Sequence, residues 1–190
     1  MKPDIWLVRH GPTEWSEAGR HTSRTDLPLT EAGEEAASTL APVLAAHDFA
    51  MVLVSPMLRA RDTARRAGFP DAEIDPDLVE FDYGELEGLT TAEIRGRGGE
   101  WASWTVWTGR LPGGETAAEV GARAQRVLAR ANAAGGDVLL FGHGHQLRIL
   151  TAVALGFAAD AGAHFVLDPA TVSTIGTEHD VRALRVWNRR

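Results

Sequence analysis

The sequence predicts an α/β fold, a three-layer α/β/α sandwich whose central sheet is mostly parallel and includes at least one antiparallel strand. Short apolar runs without polar alternation, at residues 5–8, 51–54 and 138–141, are typical of parallel strands that are buried on both faces. Near the C-terminus, apolar segments follow one another across turn signals alone, which predicts antiparallel pairing. No linker divides the 190 residues, so we expect a single domain over residues 1–190.

Two helices are predicted between the first strands. The first covers residues 31–46, with Thr30 as its N-cap, because apolar residues recur there at helical spacing. Pro42 conflicts with a continuous helix, since proline removes a backbone donor, and it should kink or break the helix near Leu40. The second helix covers residues 57–67 and ends before a glycine.

Three more helices are predicted in the second half of the chain. Thr90 and Glu93 have the spacing of a capping box, which predicts a short helix that ends at the glycines within residues 96–99. Residues 115–133 carry apolar side chains on one helical face, and a last helix is predicted over residues 146–156. Helices thus alternate with the apolar runs, as the α/β class requires.

Three tryptophans and three apolar segments complete the pattern. Trp101, Trp104 and Trp107 follow one another at helical spacing, and we interpret them as packing beneath a lid segment. The alternative is an apolar wall that shapes one end of a substrate. The closing strands are predicted at residues 164–167, 171–176 and 181–187, with Asp-Pro and His-Asp turn signals between them.

Charge and composition narrow the classes of partner. The formal net charge of -7 argues against nucleic acid and anionic membranes, so a local cluster must gather any anionic substrate. The longest apolar stretch, residues 149–159, is too short to span a membrane, and the first strand leaves no room for a signal peptide. We therefore expect a cytoplasmic protein with a small partner. The chain has no cysteine, which excludes disulfides and thiolate metal sites.

Cationic and imidazole side chains follow three of the predicted strands. Arg9 and His10 come directly after the first strand. Arg59 lies just beyond the second strand, and His143 follows the third. Because ligands of doubly wound sheets bind beyond the carboxyl ends of parallel strands, we expect these four side chains to meet at one edge of the sheet.

This combination suits the chemistry of a phosphomonoester. A neutral imidazole at His10 can attack a phosphoryl group, and the guanidinium of Arg9 or Arg59 can hold two of its oxygens in a forked hydrogen bond. His143 adds a charged donor if it is protonated. We therefore predict His10 as the nucleophile and the other three residues as the phosphoryl-binding group.

Departure of the ester oxygen also requires an acid. Glu80 lies among apolar residues, and burial near the negative charge of a phosphate should keep its proton in place near neutrality. Asp82 and Glu14 are rival candidates for the same role. The sequence leaves the choice among the three open.

The histidines allow a second interpretation. His143 and His145 form a His-x-His pair, which is the spacing of half a zinc site. No third ligand cluster with suitable spacing accompanies them, so we expect no metal site. We interpret His145 as structural or as a residue at the mouth of the pocket. The remaining histidines are assigned no functional role: His21, His47, His164 and His179.

Five motifs follow one another over nearly the whole chain. They are RHGPTEW at residues 9–15, DLPLTEAG at 26–33, SPMLRARDTA at 55–64, EFDYGELEG at 80–88 and GHG at 142–144. In this order they resemble the motifs of the histidine phosphatase superfamily, which includes the cofactor-dependent phosphoglycerate mutases and the fructose-2,6-bisphosphatase domains.

The resemblance implies a phosphoglycerate mutase-like fold and a phosphohistidine at His10. It implies that Glu80 donates a proton and then activates water, with neither a metal nor another cofactor. The residues that it implies for phosphoryl binding are Arg9, Arg59 and His143. The mouth positions that would bind the rest of the substrate are Ser16, Thr22 and Ser23, where Ser16 replaces an asparagine that is usual in the mutases.

Departures from the mutases favour hydrolysis. The mutases have a long basic insertion before the second histidine and a C-terminal tail over the site, and we find neither here. The acid segment also resembles that of sugar bisphosphatases such as sedoheptulose-1,7-bisphosphatase. We therefore predict a metal-independent phosphatase of small phosphorylated metabolites; the alternatives are phosphoglycerate mutase activity and a catalytically inactive phosphate-binding module. Dimers are common in the superfamily, so we leave a homodimer open.

Overall fold

The structure is a computed structural model that describes residues 2–190 and contains one six-stranded sheet. Its strands are β1 (Ile5–Arg9), β2 (Met51–Val54), β3 (Glu73–Ile74), β4 (Val138–Gly142), β5 (Val172–Glu178) and β6 (Val181–Arg189). Across the sheet their order is β3-β2-β4-β1-β5-β6. The first four strands pair in parallel, whereas β5 pairs antiparallel with β1 and with β6. The predicted mostly parallel sheet with an antiparallel part is confirmed.

Helices cover both faces of this sheet. They are α1 (Glu14–Glu17), α2 (Glu31–Ser38), α3 (Ala41–Leu44), α4 (Leu58–Arg66), α5 (Thr91–Gly96), α6 (Ala117–Ala133) and α7 (Gly144–Ala154). Ile5 and Leu7 of β1 point toward the apolar cluster formed with α6 and α7. Val8 points to the opposite face, where it packs with Leu44 of α3 and Ala60 of α4. The alternation along β1 therefore builds two separate cores, and the predicted three-layer sandwich is confirmed.

The helix predicted over residues 31–46 is divided in two. α2 ends at Ser38 and α3 begins at Ala41, which places Pro42 in the first turn of the new helix, where its missing N–H is tolerated. The break near Leu40 is thus as predicted. The Thr90 and Glu93 capping box also forms and begins α5.

The prediction of a strand at residues 164–167 is wrong. A 3-10 helix, Ala159–His164, occupies the first part of this region, and the residues after it lie outside the sheet. Arg148 donates to the carbonyls of Gly162 and Ala163 in this 3-10 helix. The Trp187 indole donates to the carbonyl of Val166, which lies in the predicted strand. At Val166 a side chain thus takes the place of a ladder partner. The two-residue edge strand β3 was not predicted, because two residues show no periodicity.

The tryptophan segment is also not an α-helix. It consists of a 3-10 turn, Gly99–Trp101, followed by turns, and the indole of buried Trp104 donates to the carbonyl of Arg110 at 2.9 Å. Trp107 packs edge-on against the His145 ring. Trp104 thus packs in the core, and Trp107 lies beside the site described below. The alternative of an apolar wall against a substrate stays a prediction.

Within residues 2–190, none of the helices combines the length and the apolar character needed to cross a bilayer.

Candidate active site

The four predicted cationic and imidazole side chains meet at the carboxyl end of the parallel strands. Arg9 at the end of β1 is in register with Gly142 at the end of β4, which makes His10 and His143 neighbours. Their ring centroids are 5.1 Å apart. Nε2 of His143 lies 2.7 Å from Oγ of Ser55, the residue that follows β2 and leads into the turn before Arg59 on α4. The sheet therefore delivers all four to one place, as its topology predicts.

His10 is held in the state that a nucleophile requires. Its Nδ1 lies 2.7 Å from the carbonyl oxygen of Gly11, which can only accept, so Nδ1 carries the proton and Nε2 keeps a free lone pair. Burial, followed by the positive charges of Arg59 and Arg9, lowers the pKa of His10 well below its usual range. The imidazole is therefore neutral at physiological pH.

The two arginines beside His10 are anchored by backbone carbonyl groups. Arg9 donates from Nη1 to the carbonyl of Leu167. Arg59, which is fully buried, donates to the carbonyls of Thr25 at 3.1 Å and Ser23 at 3.0 Å. Neither forms an ion pair with a residue in the described part of the chain. Their charges are therefore fixed in position, and the negative charge that acts on both of them is that of Glu80.

Three buried nitrogen atoms around His10 have no hydrogen-bond partner within residues 2–190. They are Nε of Arg9, Nε of Arg59 and Nδ1 of His143. Burial and the charge of Arg59 lower the pKa of His143, so it acts as a neutral imidazole rather than the imidazolium considered above. When the Ser55 hydroxyl donates to Nε2, Nδ1 of His143 is a donor. Unpartnered buried donors are costly, and three beside one nucleophile fit the oxygens of a phosphoryl group.

Glu80 is the carboxylate of this site. Its Oε1 accepts from the backbone N–H groups of Phe81 and Gln146, both at 2.8 Å, and Oε2 accepts from that of His145 at 3.1 Å. The last two donors belong to the first turn of α7, which attracts negative charge. The remaining acceptor capacity of Oε2 is available to a ligand or a proton.

The rival acids lie elsewhere. Asp82 pairs with Arg24 at 3.1 Å and caps the backbone N–H of Gly84 at 3.0 Å, and Glu14 is exposed on α1. Neither lines the site cavity. Of the three candidates, only Glu80 lies in the cavity wall.

The site opens into a cavity of about 170 Å³. Its lining residues are Arg9, His10, Ser16, Gly19, Arg20, His21, Thr22, Glu80, Tyr83, Gly144, His145, Arg148 and Leu167. Arg59 and His143 are fully buried beside His10 rather than in these walls. A second cavity, of about 370 Å³, lies between α3 and the sheet and contains none of the predicted site residues. The smaller cavity is therefore the one that matches the chemistry.

The predicted mouth residues have different positions. Ser16 lines the cavity, although its hydroxyl is already bound to Thr13 in the cap of α1, and Thr22 lines it with a hydroxyl that donates to a carbonyl at 3.2 Å. Ser23 is buried outside the cavity walls. Its backbone N–H donates to Glu87 at 3.1 Å and its carbonyl accepts from Arg59. Ser23 therefore supports Arg59 and is not exposed to the cavity.

Several wall residues were not predicted, whereas His145, interpreted above as structural or as a mouth residue, does line the cavity. Tyr83 and His145 are joined by a 2.6 Å hydrogen bond between Oη and Nδ1, and His21, which was assigned no role, packs against both rings. Arg148 lies four residues after Gly144 on α7, so helical periodicity places both on one face and could have identified it. The other wall residues come from separate segments and leave no comparable signal in the sequence.

The His-x-His pair does not form a shared ligand set. Nε2 of His143 faces Ser55, whereas Nδ1 of His145 faces Tyr83. Among residues 2–190 there is no group of three or more His, Cys, Asp and Glu side chains arranged to hold a metal ion.

Comparison with known proteins shows which family shares this sequence. The model of the histidine phosphatase superfamily (branch 1) matches residues 5–190. A protein named acid phosphatase from Mycobacterium tuberculosis is 38% identical over 186 residues, which cover 96% of this chain and 90% of the relative. Sedoheptulose 1,7-bisphosphatase from Saccharomyces cerevisiae is 33% identical, over 82% of this chain and 69% of its own length.

A solved structure has the same fold as this chain. The product of an open reading frame from Mycobacterium tuberculosis superimposes with a TM-score of 0.92 at 34% identity. The match covers 100% of this chain and 98% of the other. The arrangement of strands and helices described above is therefore that of a known fold.

Proposed function

We propose, from the premise that this chain belongs to the histidine phosphatase superfamily, that Nε2 of His10 carries the phosphoryl group during hydrolysis. Family and relatives identify the protein as a phosphatase of phosphorylated metabolites. The residue roles are our proposal. The observation that carries them is the group of three unpartnered buried nitrogens around a neutral histidine whose Nε2 is free.

In the first step, Nε2 of His10 attacks the phosphorus atom and the bond to the ester oxygen breaks. Glu80 gives its proton to that oxygen, so the product leaves as a neutral alcohol. The three nonbridging oxygens bind the donors that surround His10, which stabilise negative charge without reorganisation. These donors belong to Arg9, Arg59 and His143.

In the second step, Glu80 takes a proton from a water molecule whose oxygen attacks the phosphorus atom. The bond between phosphorus and Nε2 breaks, inorganic phosphate leaves, and both His10 and Glu80 return to their starting protonation states. Each atom and proton is thereby accounted for without a metal or another cofactor. The accessible cavity supports the entry of water to the phosphohistidine.

The cavity and the relatives support a small substrate. A volume of about 170 Å³ suits a phosphorylated metabolite such as a sugar phosphate or bisphosphate, the class named by the yeast relative. We place the activity in the cytoplasm and in a single domain over residues 1–190. Because the net charge is -7, we expect no nucleic acid partner.

The oligomeric state is open. Light scattering of the protein as it elutes from a size-exclusion column distinguishes a monomer from a homodimer.

Hydrolysis of para-nitrophenyl phosphate in the presence of EDTA tests this function. We expect the wild-type protein to turn over the substrate and His10→Ala to lower kcat/KM by at least about a thousandfold, because the phosphoryl acceptor is lost. His164→Ala, which changes an exposed histidine that is not among the cavity-lining residues, is the matched control and should keep wild-type activity.

Two outcomes contradict the proposal. One is activity that EDTA abolishes, and the other is activity that survives in His10→Ala. Interconversion of 3- and 2-phosphoglycerate with bisphosphoglycerate present, at a rate above that of phosphate release, would identify a mutase instead.

A further inference from the structure

The segment that carries Glu80 has no regular secondary structure of its own. Residues 80–83 lie between two 3-10 turns, Pro76–Leu78 and Gly84–Leu86, and belong to no strand of the sheet. N–H groups of α7 orient the carboxyl group of Glu80, but they do not hold the backbone from which its side chain extends. Because catalysis depends on placing an acid to within about 1 Å, the contacts that fix this backbone matter for the reaction.

Arg123 of α6 binds the backbone of this segment. Its Nη1 donates to the carbonyl groups of Asp77 at 2.7 Å and Val79 at 3.0 Å, and its Nη2 donates to that of Glu80 at 3.4 Å. The side chain of Arg123 is 13% exposed, so water offers it few alternative partners. Arg123 thus connects three carbonyl groups, including that of Glu80 itself, to a long helix.

Glu115 fixes the guanidinium of Arg123 and adds two contacts of its own. Its Oε1 accepts from Nε and its Oε2 from Nη2 of Arg123, both at 2.8 Å, which is the forked geometry of a strong pair. Oε2 also accepts from the backbone N–H of Asp82 at 3.0 Å, and the backbone N–H of Glu115 donates to the carbonyl of Asp82 at 3.0 Å. These bonds use all five N–H donors of Arg123. We call the Arg123 and Glu115 pair the backbone clamp, because it holds residues 77–82.

The next two arginines of α6 make ion pairs of a different kind. Arg126 binds the side chain of Asp77 through Nε at 2.8 Å and Nη2 at 2.6 Å, and Arg130 binds that of Asp75 at 2.6 Å. Neither donates to a backbone carbonyl beside Glu80, and Arg126 is largely exposed. An ion pair that only joined α6 to this region would therefore not need the contacts that Arg123 makes.

We propose that Arg123 and Glu115 are positioning residues for the acid, and that the backbone clamp holds Glu80 where its carboxyl group reaches the ester oxygen. The inference rests on the proposed function, in which Glu80 gives its proton to that oxygen, and adds two residues outside the cavity walls to it. The clamp acts through geometry, because proton transfer requires hydrogen-bond distance between the acid and the leaving oxygen.

Two aryl phosphates measure how well the acid works. The leaving group of para-nitrophenyl phosphate needs no proton, whereas phenyl phosphate lacks only the nitro group and has a more basic leaving group that does. The readout is the ratio of kcat/KM for para-nitrophenyl phosphate to that for phenyl phosphate. Both values scale with the amount of folded enzyme, so their ratio is independent of it. Glu80→Gln defines the ratio without an acid and should raise it above the wild-type value.

Single variants assign the position of the acid to the backbone clamp. Arg123→Met should raise the ratio about 10-fold or more, up to the value of Glu80→Gln, because a displaced acid protonates the leaving oxygen poorly. Arg123→Lys should restore little of the wild-type ratio, since lysine keeps the charge but lacks the planar fork. Arg126→Met is the matched control. It removes an arginine of the same helix that binds only a side chain, and it should keep the wild-type ratio.

A double variant separates positioning from a structural role. If Arg123 acts through Glu80, Arg123→Met should leave the ratio of Glu80→Gln unchanged within about twofold, because no acid remains to be displaced. Glu115→Gln provides the same test if Arg123→Met does not fold. It keeps an acceptor oxygen for the N–H of Asp82, loses the charged fork with Arg123, and should raise the ratio in the same direction.

Three results would overturn the inference. Arg123→Met and Glu115→Gln could both keep the wild-type ratio, or Arg123→Met could raise the ratio as much in the Glu80→Gln background as in the wild type. Full recovery of the wild-type ratio in Arg123→Lys would show that charge is sufficient and the forked geometry is not needed. An unchanged ratio in Glu80→Gln is a different result, because it contradicts the acid of the proposed function itself.

Discussion

Glu80 shows how the backbone defines the role of a single residue. Two N–H groups of α7 and that of Phe81 orient its carboxyl group beside His10, and the carboxylate of Asp82, two positions away, is bound to Arg24 instead. Strand alternation would place residues 80 and 82 on the same side, so the difference arises from their partners, the backbone of α7 for Glu80 and Arg24 for Asp82. One carboxylate therefore belongs to the cavity and the other to the surface.

Glu80→Gln tests this assignment. The amide can still accept hydrogen bonds but has no acidic proton, so we expect kcat for an alkyl phosphate to fall about 10²- to 10⁴-fold. With para-nitrophenyl phosphate, whose leaving group needs no proton, the first step should survive. Stopped-flow absorbance should then show a burst of nitrophenolate followed by slow turnover, because water is no longer activated.

Asp82→Asn makes the same chemical change outside the cavity. Its kcat should stay within about threefold of wild type, since no proton transfer depends on it. A larger loss of kcat in Asp82→Asn than in Glu80→Gln would show that the acid is Asp82 and not Glu80.

The residues that could be predicted were those that a local pattern marks. His10, Arg9 and His143 follow apolar runs, and Glu80 lies in an ordered motif. Tyr83 and His145 meet through a 2.6 Å hydrogen bond and an edge-on ring contact, and His21 reaches them from another segment. Their role as wall residues arises from packing between distant segments, which the sequence pattern does not encode.

At the scale of elements, the packing of α2 against the segment after β1 positions the nucleophile. The backbones touch at two glycines: a Cβ at Gly33 would lie 2.1 Å from the carbonyl oxygen of Pro12, and one at Gly11 would lie 2.5 Å from that of Gly33. Only glycine permits this approach. Gly11 also accepts the His10 Nδ1–H, so α2 supports the tautomer of the nucleophile.

Gly33→Ala should therefore destabilise the protein by about 1–3 kcal/mol, because the added methyl group meets backbone atoms that must move. Chemical denaturation measures the change. Gly96→Ala is the matched control, because Gly96 lies at the end of α5 with nothing near its Cβ position, and it should be neutral or slightly stabilising. Equal stability of the two variants would contradict the close packing of α2.

Elements with strong periodicity or caps could be predicted from the sequence, and those determined by distant partners could not. Pro42 marks the start of α3 correctly because the effect of proline is local. The segment at residues 164–167 has the composition of a strand, yet side chains of Arg148 and Trp187 satisfy carbonyls in and just before it. Composition alone does not reveal such partners.

At the scale of the whole molecule, the histidines that lie together at one edge of the sheet make the stability of the fold depend on pH. Burial lowers the pKa of His21 from 6.5 to about 4, and it is the largest cause of the lowered pKa values of His10, His143 and His145. Between pH 4 and 6.5 the unfolded chain binds protons at these positions that the folded chain does not. The contribution of these histidines to the free energy of unfolding is therefore fully present above their pKa in the unfolded chain. It is lost as the pH decreases through this window.

His21→Gln should weaken this dependence. For one histidine the free energy of unfolding changes by about 1.4 kcal/mol per pH unit within the window, so the variant should lose less stability than wild type between pH 6 and 5 by about that amount. Urea denaturation at both pH values measures the difference. Identical slopes for the two proteins would show that His21 does not remain neutral in the folded state.

The central claim, that the sheet edge makes His10 the carrier of the phosphoryl group, is tested most directly by trapping the intermediate. The wild-type protein is mixed with para-nitrophenyl phosphate, quenched with alkali during turnover, digested and mapped by mass spectrometry. We predict one base-stable, acid-labile phosphoryl group on the peptide that contains His10, and none in His10→Ala. A phosphoryl group on another residue, or turnover at full rate with no phosphorylated peptide, would contradict the account.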